Sequence, residues 1–244
     1  MKPLKLMPNL KISLVIPAYN EEKYIGECLL SARKHAADFC EIIVINNAST
    51  DKTAEVAKSF PGVRVVDEPQ KGLTKARQRG LLEASGDIIA FIDADCRLPS
   101  HWFKAVLKEF SCNPNLAALS GPYRYYDLPR FQKFMAELCW RAAPPVYRAV
   151  GYMILGGNFA AKKYALHEMG GFDTTIDFYG EDTDIARRLA PFGKIIFRMD
   201  FFVHSSGRRL QAEGLLKTFS VYGVNFLWGI FYGKPFTKRY QDIR

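Results

Sequence analysis

The chain has 244 residues, 48% of them hydrophobic, which is enough for one large α/β domain or two small ones. Its net charge of +9 favours anionic partners such as phosphorylated substrates or a membrane surface. The basic residues are scattered and match no nucleic-acid-binding module, and five cysteines without C-x-x-C spacing argue against a disulfide framework or zinc site.

The first hundred residues alternate between short apolar runs and helix-like segments. This alternation predicts an α/β fold with a parallel sheet and helices on both faces. Strands are predicted at 12–16, 41–45, 63–66 and 88–92. Helices are predicted at 21–35 with Asn20 as the N-cap, after Ser49-Thr50-Asp51, and at 73–84.

The pattern changes after Pro99, where helices mix with shorter strands. Helices are predicted through Phe110, at 130–142 and at 182–189, and strands at 117–120, 194–197 and 201–203. Gly156-Gly157-Asn158 and Gly170-Gly171-Phe172-Asp173 are turn signals around a further short helix. Because no repeat or linker interrupts the chain, we expect one domain over 1–244, with halves 10–98 and 99–205 and a C-terminal helical extension 206–244.

Two carboxylates follow the most apolar strand. The run 88–92 is too short for a helix and is typical of a buried parallel strand, and Asp93 and Asp95 come directly after it. Ligands of open α/β sheets bind at the carboxyl ends of strands, and two carboxylates suit Mg²⁺ or Mn²⁺ beside substrate phosphates. The alternative is an Asp-rich turn that holds no metal.

Residues 218–233 form an uncharged, aromatic run near the C-terminus. As a helix it would reach about 24 Å, short of the ~30 Å hydrocarbon core of a bilayer. One alternative is a helix in the membrane interface, with Lys217, Lys234, Lys238 and Arg239 meeting lipid phosphates. The other is an ordinary helix packed on the sheet. The N-terminus does not resemble a secretory signal, so we expect a cytoplasmic protein, peripheral on the inner face of the cell membrane under the first alternative.

Four motifs follow one another along the chain in a distinctive order. They are Ser13–Glu21, Ile45–Asp51, Asp93-Ala94-Asp95, and Gly180–Asp184 followed by Arg187 and Arg188; Lys71–Arg77 and Gly170–Asp173 fit the spacers between them. In order and spacing the chain resembles the family-2 glycosyltransferases over residues 12–205. The resemblance implies the GT-A fold, a Rossmann-like, mostly parallel sheet flanked by helices, in which 10–98 binds a nucleotide sugar and 99–205 the acceptor.

The same resemblance implies a divalent cation, Mg²⁺ or Mn²⁺, on the donor diphosphate. It favours Asp95 for direct contact with the metal and Asp93 for the ribose or the metal, with Ala94 between them at the donor. It adds His204 as a third ligand, and the alternative for this residue is a structural histidine.

The resemblance also implies an inverting transfer in which Asp182 is the base. Asp182 would take the proton of the acceptor hydroxyl, and Glu181 would hold the acceptor. The alternative is that these acids only fill the first turn of a helix, where they oppose its dipole. We accept that alternative for Asp184, which lies four residues before Arg188.

The donor contacts are carried over residue by residue. Lys75 and Arg77 hold the phosphates or, alternatively, form a solvated basic helix face. Many family members have Asp where this chain has Asn46 or Asn47; because Asn both donates and accepts, we assign Asn46 to the base and favour a UDP-sugar over a GDP-sugar. The nucleoside edge is predicted to consist of Pro17, Ala18, Tyr19 and Glu21.

The acceptor side is less fully predicted. Gly157 and Asn158 are expected in a turn beneath the donor sugar or the acceptor, since glycine lets backbone approach a ligand. The expected acceptor is a hydroxyl of a lipid-linked or saccharide molecule. Two alternatives stay open: a catalytically idle nucleotide-sugar-binding module, and a sugar nucleotidyltransferase, which would need a glycine-rich basic loop where 17–22 is acidic and glycine-free.

Overall fold

A seven-stranded sheet organises the molecule. The computed structural model describes residues 10–34, 38–237 and 243. The strands of this sheet are β1 (Ile12–Ala18), β2 (Glu41–Asn47), β3 (Val63–Glu68), β4 (Ile88–Ile92), β5 (Leu116–Ser120), β7 (Asn158–Lys162) and β8 (Lys194–Phe197); β6 (Tyr123–Tyr125) and β9 (Val203–Ser205) form a second, two-stranded sheet. The large sheet has the order β3-β2-β1-β4-β7-β5-β8, so strands from both predicted halves share one sheet.

One strand of the large sheet is reversed. β7 runs antiparallel to β4 and β5, whereas the other neighbouring pairs are parallel. The mostly parallel α/β sheet is therefore confirmed. The prediction missed β7, because Gly156-Gly157-Asn158 indicates a turn and the apolar run that follows, Phe159-Ala160-Ala161, is too short to indicate a strand by itself.

Helices cover both faces of the large sheet. Alternate residues of β1 enter different cores: Leu14 and Ile16 pack with the helices of one face, and Val15 packs with those of the other. Burial on both faces explains the unbroken apolar strands. The helices are α1 (Ile25–Arg33), α2 (Thr53–Lys58), α3 (Leu73–Glu83), α4 (Trp102–Cys112), α5 (Arg130–Trp140), α6 (Ala143–Val150), α7 (Lys163–Glu168), α8 (Glu181–Leu189), α9 (Arg208–Glu213) and α10 (Leu215–Tyr232).

The predicted start of the first helix is wrong. α1 begins at Ile25, and Asn20 is not its cap, because Asn20 has a left-handed φ of 51°. The Asn20 side-chain oxygen instead accepts a hydrogen bond of 2.8 Å from Thr50 N. Residues after β1 and β2 thus tie the two loops together. The helix start predicted after Ser49-Thr50-Asp51 is confirmed, because α2 begins at Thr53 and Thr53 N donates to Asp51 Oδ1 at 2.9 Å.

In the second half the prediction also missed β6 and α6, and it placed β9 too early. α6 carries Pro144 and Pro145 in its first turn, where proline is tolerated, so these residues begin a helix as well as following the end of α5. β9 lies two residues beyond the predicted strand 201–203 and pairs in parallel with β6.

The C-terminal run forms α10, which contacts α5, α8 and α9. This contact with helices differs from the predicted packing on the sheet. A Cβ added at Gly229 would lie 2.9 Å from Thr183 Cγ2, so the glycine lets α10 approach α8 closely. Within 10–34 and 38–237, no helix has both the length and the apolar character that crossing a bilayer requires. Lys238 and Arg239, predicted to meet lipid phosphates, lie outside the described residues.

Candidate active site at the carboxyl edge of the sheet

A cleft opens where β1, β2 and β4 end. The carboxyl ends of these adjacent parallel strands meet at one edge, as expected for a ligand crevice of an open α/β sheet. The residues that line the cleft are Pro17, Ala18, Tyr19, Glu21, Asn47, Lys71, Gly72, Leu73, Ala76, Asp93, Ala94 and Phe178. Six of them are predicted donor contacts, and these lie together in one cavity: Pro17, Ala18, Tyr19, Glu21, Asp93 and Ala94.

The wall contributed by β2 contains Asn47, whereas Asn46 turns away to β3. Asn46 Nδ2 donates to Asp67 Oδ1 at 2.7 Å. Asn47 donates to Gln70 O at 2.7 Å and accepts from Gly72 N at 2.8 Å, so it fixes the loop that leads into α3. The structure therefore places the neighbouring residue, not the predicted Asn46, at the cleft.

A lysine that the prediction passed over reaches the cleft. Lys71 Nζ donates to Tyr19 Oη at 2.9 Å and lies 4.0 Å from the centroid of the Tyr19 ring. The predicted Lys75 instead packs its stem over Gly72, where an added Cβ would lie 3.3 Å from Lys75 Cδ. Lys71 is thus the cation beside the aromatic wall of the cleft.

Arg77 lies beneath the cleft floor. Its side chain is 1% exposed, contacts Glu181, and lies 3.5 Å (Nη2 to Oδ1) from Asp93. Burial alone lowers the pKa of Arg77, but the charges of Glu181, Asp93 and Asp182 outweigh burial and raise it. Neither predicted role holds: Arg77 is not on a solvated face, and it is too deep to present its guanidinium openly to a diphosphate. It holds carboxylates in place.

Asp182 lies next to a glycine turn. Gly156 N donates to Asp182 Oδ1 at 2.7 Å. Burial raises the pKa of Asp182 well above its ordinary value, and the charge and hydrogen bond of Glu181 raise it further, against the lowering effects of Arg77 and Gly156. A carboxylate with a raised pKa binds a proton more readily, which suits a general base.

The next glycine of this turn contacts Asp93. A Cβ at Gly157 would lie 2.1 Å from Asp93 Oδ2, so any other residue here would force Asp93 or the turn to move. Gly157 N donates to Tyr123 Oη at 3.0 Å. The turn Gly156-Gly157 therefore joins Asp93 to Asp182, and Tyr123 is a further residue at this turn.

Asn158 is not a substrate contact. Its side chain is fully buried, accepts from Trp102 Nε1 at 2.9 Å, and donates to Gly121 O at 2.9 Å and Phe201 O at 2.8 Å. These bonds use the amide fully to join three segments of the second half. The predicted role of Asn158 is replaced by a structural one.

Asp95 is paired with an arginine from the C-terminal region. Arg208 Nη2 lies 3.1 Å from Asp95 Oδ2, and Arg208 Nη1 donates to Glu21 Oε2 at 2.8 Å. Burial lowers the pKa of Arg208, but the hydrogen bond to Glu21 and the charge of Asp95 raise it overall. Glu21 is 2% exposed, so Arg208 compensates a buried carboxylate at the same time.

His204 does not join the aspartates. Side chains of a strand alternate between its faces, and Tyr123 on β6 points to the cleft through its bond to Gly157. Arg124, the next residue, pairs in register with His204 on β9, and His204 is in ring contact with Phe202. The predicted third metal ligand therefore belongs to the outer face of the small sheet.

A family comparison bears on this geometry. The sequence model of Glycosyl transferase family 2 matches residues 13–170. The chain belongs to this family. A similar protein is the Bacillus subtilis "Probable glycosyltransferase YdaM", 27% identical over 201 residues, which are 75% of this chain and 47% of that protein. Another is the glycosyltransferase AglE of Haloferax volcanii, 32% identical over 100 residues, 38% of this chain and 33% of AglE. The chain thus spans less than half the length of these curated relatives.

Solved structures of other proteins have the same fold as this chain, the GT-A fold. The mannosyltransferase PcManGT of Pyrobaculum calidifontis, in complex with GDP-Man and Mn²⁺, is similar with a TM-score of 0.68 and 21% identity, covering 95% of this chain and 67% of that one. The glucosyl-3-phosphoglycerate synthase of Mycobacterium tuberculosis, in complex with Mn²⁺ and UDP-Glc, has a TM-score of 0.63 and 24% identity over 93% and 80% of the two chains.

The carboxylates at the cleft fit a divalent cation that is bound together with a diphosphate. Asp93, with 38% of its side chain exposed, and Asp95 supply carboxylate oxygens at the end of β4. Across the described ranges, no three His, Cys, Asp or Glu side chains form a metal cluster. Mg²⁺ commonly uses one or two carboxylates and takes its other ligands from substrate phosphates and water, so two aspartates suffice.

Proposed function

We propose that this family-2 member transfers a sugar from a nucleotide diphosphate to a hydroxyl acceptor, with inversion at the anomeric carbon. The observation that carries the proposal is the turn Gly156-Gly157. One of its glycines bonds to Asp182 and the other contacts Asp93, so the candidate base and a candidate metal ligand meet around two residues of backbone. This arrangement supports one reaction centre between them.

The chemistry follows from these positions. The acceptor oxygen forms a bond to the anomeric carbon as the bond from that carbon to the diphosphate oxygen breaks, and Asp182 takes the hydroxyl proton. The nucleoside diphosphate leaves on the opposite side, so one displacement inverts the configuration. Asp93 and Asp95 would hold a divalent cation, which neutralises charge on the leaving diphosphate when bound. Arg77 keeps Asp93 and Glu181 in place from below.

A UDP-sugar is the favoured donor, with GDP-sugar as the competitor. Asn47 lines the cleft, but its amide bonds to Glu68 O, Gln70 O and Gly72 N, so it shapes the loop beside the base, and Tyr19 offers a ring at the nucleoside edge. We expect UDP to raise the melting temperature more than GDP does at equal concentration with Mn²⁺, because a ligand stabilises the fold according to its affinity. A larger shift with GDP would reverse the assignment.

The acceptor is a lipid-linked or saccharide hydroxyl, and peripheral membrane contact through α10 supports the lipid-linked form. α10 turns one apolar side outward, at a spacing of three to four residues. Exposed apolar residues of α10, its following segment and α5 are Leu216, Val224, Leu227, Phe231, Phe236, Phe131, Phe134 and Leu138. Lys217 in the first turn of α10 and Lys234 just after its end would meet anionic headgroups. Flotation with anionic vesicles that salt weakens is expected; no flotation at low salt removes the membrane contact.

The proposed activity is tested by nucleoside diphosphate release. The chain is incubated with a panel of UDP- and GDP-sugars and Mn²⁺, with water as the default acceptor, and release is followed over time. Slow release that requires both metal and donor supports the enzyme. Binding without release in every condition, including a panel of acceptors, would instead identify a catalytically idle module. A sugar nucleotidyltransferase would release diphosphate from a nucleoside triphosphate and sugar phosphate, which we do not expect.

A further inference from the structure

The outer face of the small sheet is strongly basic. Arg124 on β6 and His204 on β9 lie opposite one another in register, on the face turned away from the cleft. The Arg124 guanidinium carbon lies 3.6 Å from the centroid of the Phe202 ring. His101 and His204 also contact that ring, at 5.1 and 5.3 Å between centroids. Three nitrogen-bearing side chains thus surround one aromatic ring.

Two cationic side chains, Arg97 and Lys133, join Arg124 from neighbouring segments. Arg97 forms an isolated backbone bridge with His204, and its guanidinium carbon lies 4.2 Å from the Tyr126 ring centroid. Lys133 Nζ donates to Tyr126 O at 2.8 Å from α5. We call this group the basic face; its members are Arg97, His101, Arg124, Lys133 and His204.

Acidic neighbours do not balance the basic face. The Asp200 carboxylate is held by Arg198, at 2.8 Å from Nε, and His101 bonds only to the Asp200 backbone oxygen. Asp127 bonds to the Ser206 hydroxyl and to Gly207 N. Glu27 forms an ion pair with Arg97 at 3.9 Å, whereas Arg124 and Lys133 form no ion pair with a carboxylate of the described residues. The positive charges of Arg124 and Lys133 therefore remain uncompensated on this face.

Two independent observations indicate that this face can take an anion. Burial lowers the pKa of His204, and the charges of Arg124, Arg97, His101 and Lys133 lower it further. The buried Nε of Arg97 has no hydrogen-bond partner among the described residues. A buried donor without a partner is costly, and a bound anion would satisfy it.

The basic face adjoins the cleft without forming part of it. Arg97 lies two residues after Asp95, and Tyr126, which contacts both Arg97 and Lys133, donates its hydroxyl proton to Asp95 O at 3.3 Å. An anionic group held here would lie beside the mouth of the site, on the side away from the nucleoside edge. This position is suited to an acceptor and not to the donor.

We propose that the basic face binds a phosphate or diphosphate group carried by the acceptor. Arginine recognises phosphate through paired N–H donors, and lysine adds a point charge, so this composition selects a phosphate over an uncharged sugar. The assignment as an acceptor site rests on the proposed function. The phosphate chemistry itself belongs equally to a lipid headgroup and to a soluble phosphorylated saccharide.

The test is a binding measurement that uses neither donor nor turnover. Inorganic diphosphate is titrated by calorimetry in EDTA at low salt into the wild type, Arg124→Gln/Lys133→Gln, and the control Lys52→Gln/Lys58→Gln. The control removes the same charge from α2 and the residue before it, on exposed positions. We expect about tenfold weaker binding or more in the first variant, and a change below about twofold in the control. Lys71→Gln is titrated as well, because a loss of diphosphate affinity in this variant would show that diphosphate binds in the donor cleft.

Each outcome decides the proposal. Equal diphosphate affinity in the wild type and Arg124→Gln/Lys133→Gln overturns it, as does a loss confined to Lys71→Gln. When the expected loss is found, vesicles identify the source: weaker binding of the variant to phosphatidylglycerol but not to phosphatidylcholine vesicles indicates a lipid headgroup, and unchanged vesicle binding indicates a soluble phosphorylated acceptor. Failure of donor turnover would leave this result intact, so the two proposals fail separately.

Discussion

The two halves of the sheet build the site in different ways. In the first half, polar residues follow strand ends directly, as Tyr19 to Glu21 follow β1 and Asp93 follows β4. In the second half, Asp182 reaches the cleft through a glycine turn from another segment, and the buried Arg77 links both sides. The predicted donor contacts thus lie close to strand ends in the sequence, whereas the approach of Asp182 to Asp93 depends on contacts between distant segments.

The largest expected effect separates catalysis from donor binding. Asp182→Asn removes the proton acceptor and should lower kcat about 10³-fold, within the range of general base catalysis. The affinity for the nucleoside diphosphate, measured by calorimetry, should stay within about twofold because Asp182 belongs to the second half. Asp184→Asn is the matched control, since the ion pairs of Asp184 within the described residues are with Arg187 and Arg188 of its own helix. Wild-type turnover in Asp182→Asn would remove it from the mechanism.

A smaller effect is expected where the halves meet. Gly157→Ala places a methyl group 2.1 Å from Asp93 Oδ2 in the present geometry, so Asp93 or the turn must move. A displacement of about 1 Å in a site costs on the order of 10²-fold in rate, and we expect that loss in kcat/KM. Gly223→Ala is the control, because an added Cβ there meets no described atom within 4 Å. Full activity in Gly157→Ala would mean that the turn tolerates a side chain.

The C-terminal region should influence the donor half through Arg208. Arg208→Gln removes a cation from Asp95 but keeps a hydrogen-bond donor for Glu21. We expect about tenfold tighter binding of Mn²⁺ alone, measured by electron paramagnetic resonance, because the guanidinium and the ion compete for one carboxylate. Arg209→Gln, whose partner is Glu213, carries the same charge change and should leave Mn²⁺ affinity unchanged. An equal effect in both variants would indicate a general field and not competition.

The smallest effect concerns stability and pH. The pKa of Asp182 is raised, chiefly by burial and then by Glu181, so the folded state holds its proton more tightly than the unfolded state does. The resulting stabilisation is complete below the ordinary Asp pKa of about 3.9 and is lost as the pH rises through the folded pKa. Asn mimics the protonated form, so Asp182→Asn should raise the urea midpoint at pH 8, and the gain should shrink towards pH 5. A pH-independent difference would contradict the raised pKa.

The sequence predicted what depends on strand ends and periodicity. Apolar runs gave β1, β2 and β4, and the residues after them line the cleft, because parallel strands bring their carboxyl ends together. The family resemblance added Asp182. In the structure Asp182 lies beside the Gly156 turn, and its catalytic role stays a prediction. These assignments use short stretches of chain.

Other residues could not be assigned from sequence because long-range contacts decide their roles. Arg77 follows a basic pattern, yet Glu181, over a hundred residues later, draws it into the interior. Asn158 follows two glycines, but its side chain is hydrogen-bonded to Trp102 and to two carbonyl oxygens. Alternation along β9 decides which face His204 occupies, and a strand of three residues gives no periodic signal. Arg208 lies beyond the matched motifs, and only its contact with Asp95 reveals it.

The reversed strand β7 has a chemical consequence for the edge at which substrates would bind. Because β7 runs antiparallel to β4, the residues that lead into β7 lie at the edge where β4 ends. The amide protons of Gly156 and Gly157, which precede β7, are used there on Asp182 and Tyr123. The reversal of one strand thus brings the backbone of a strand entrance to the same border as the exits of its parallel neighbours.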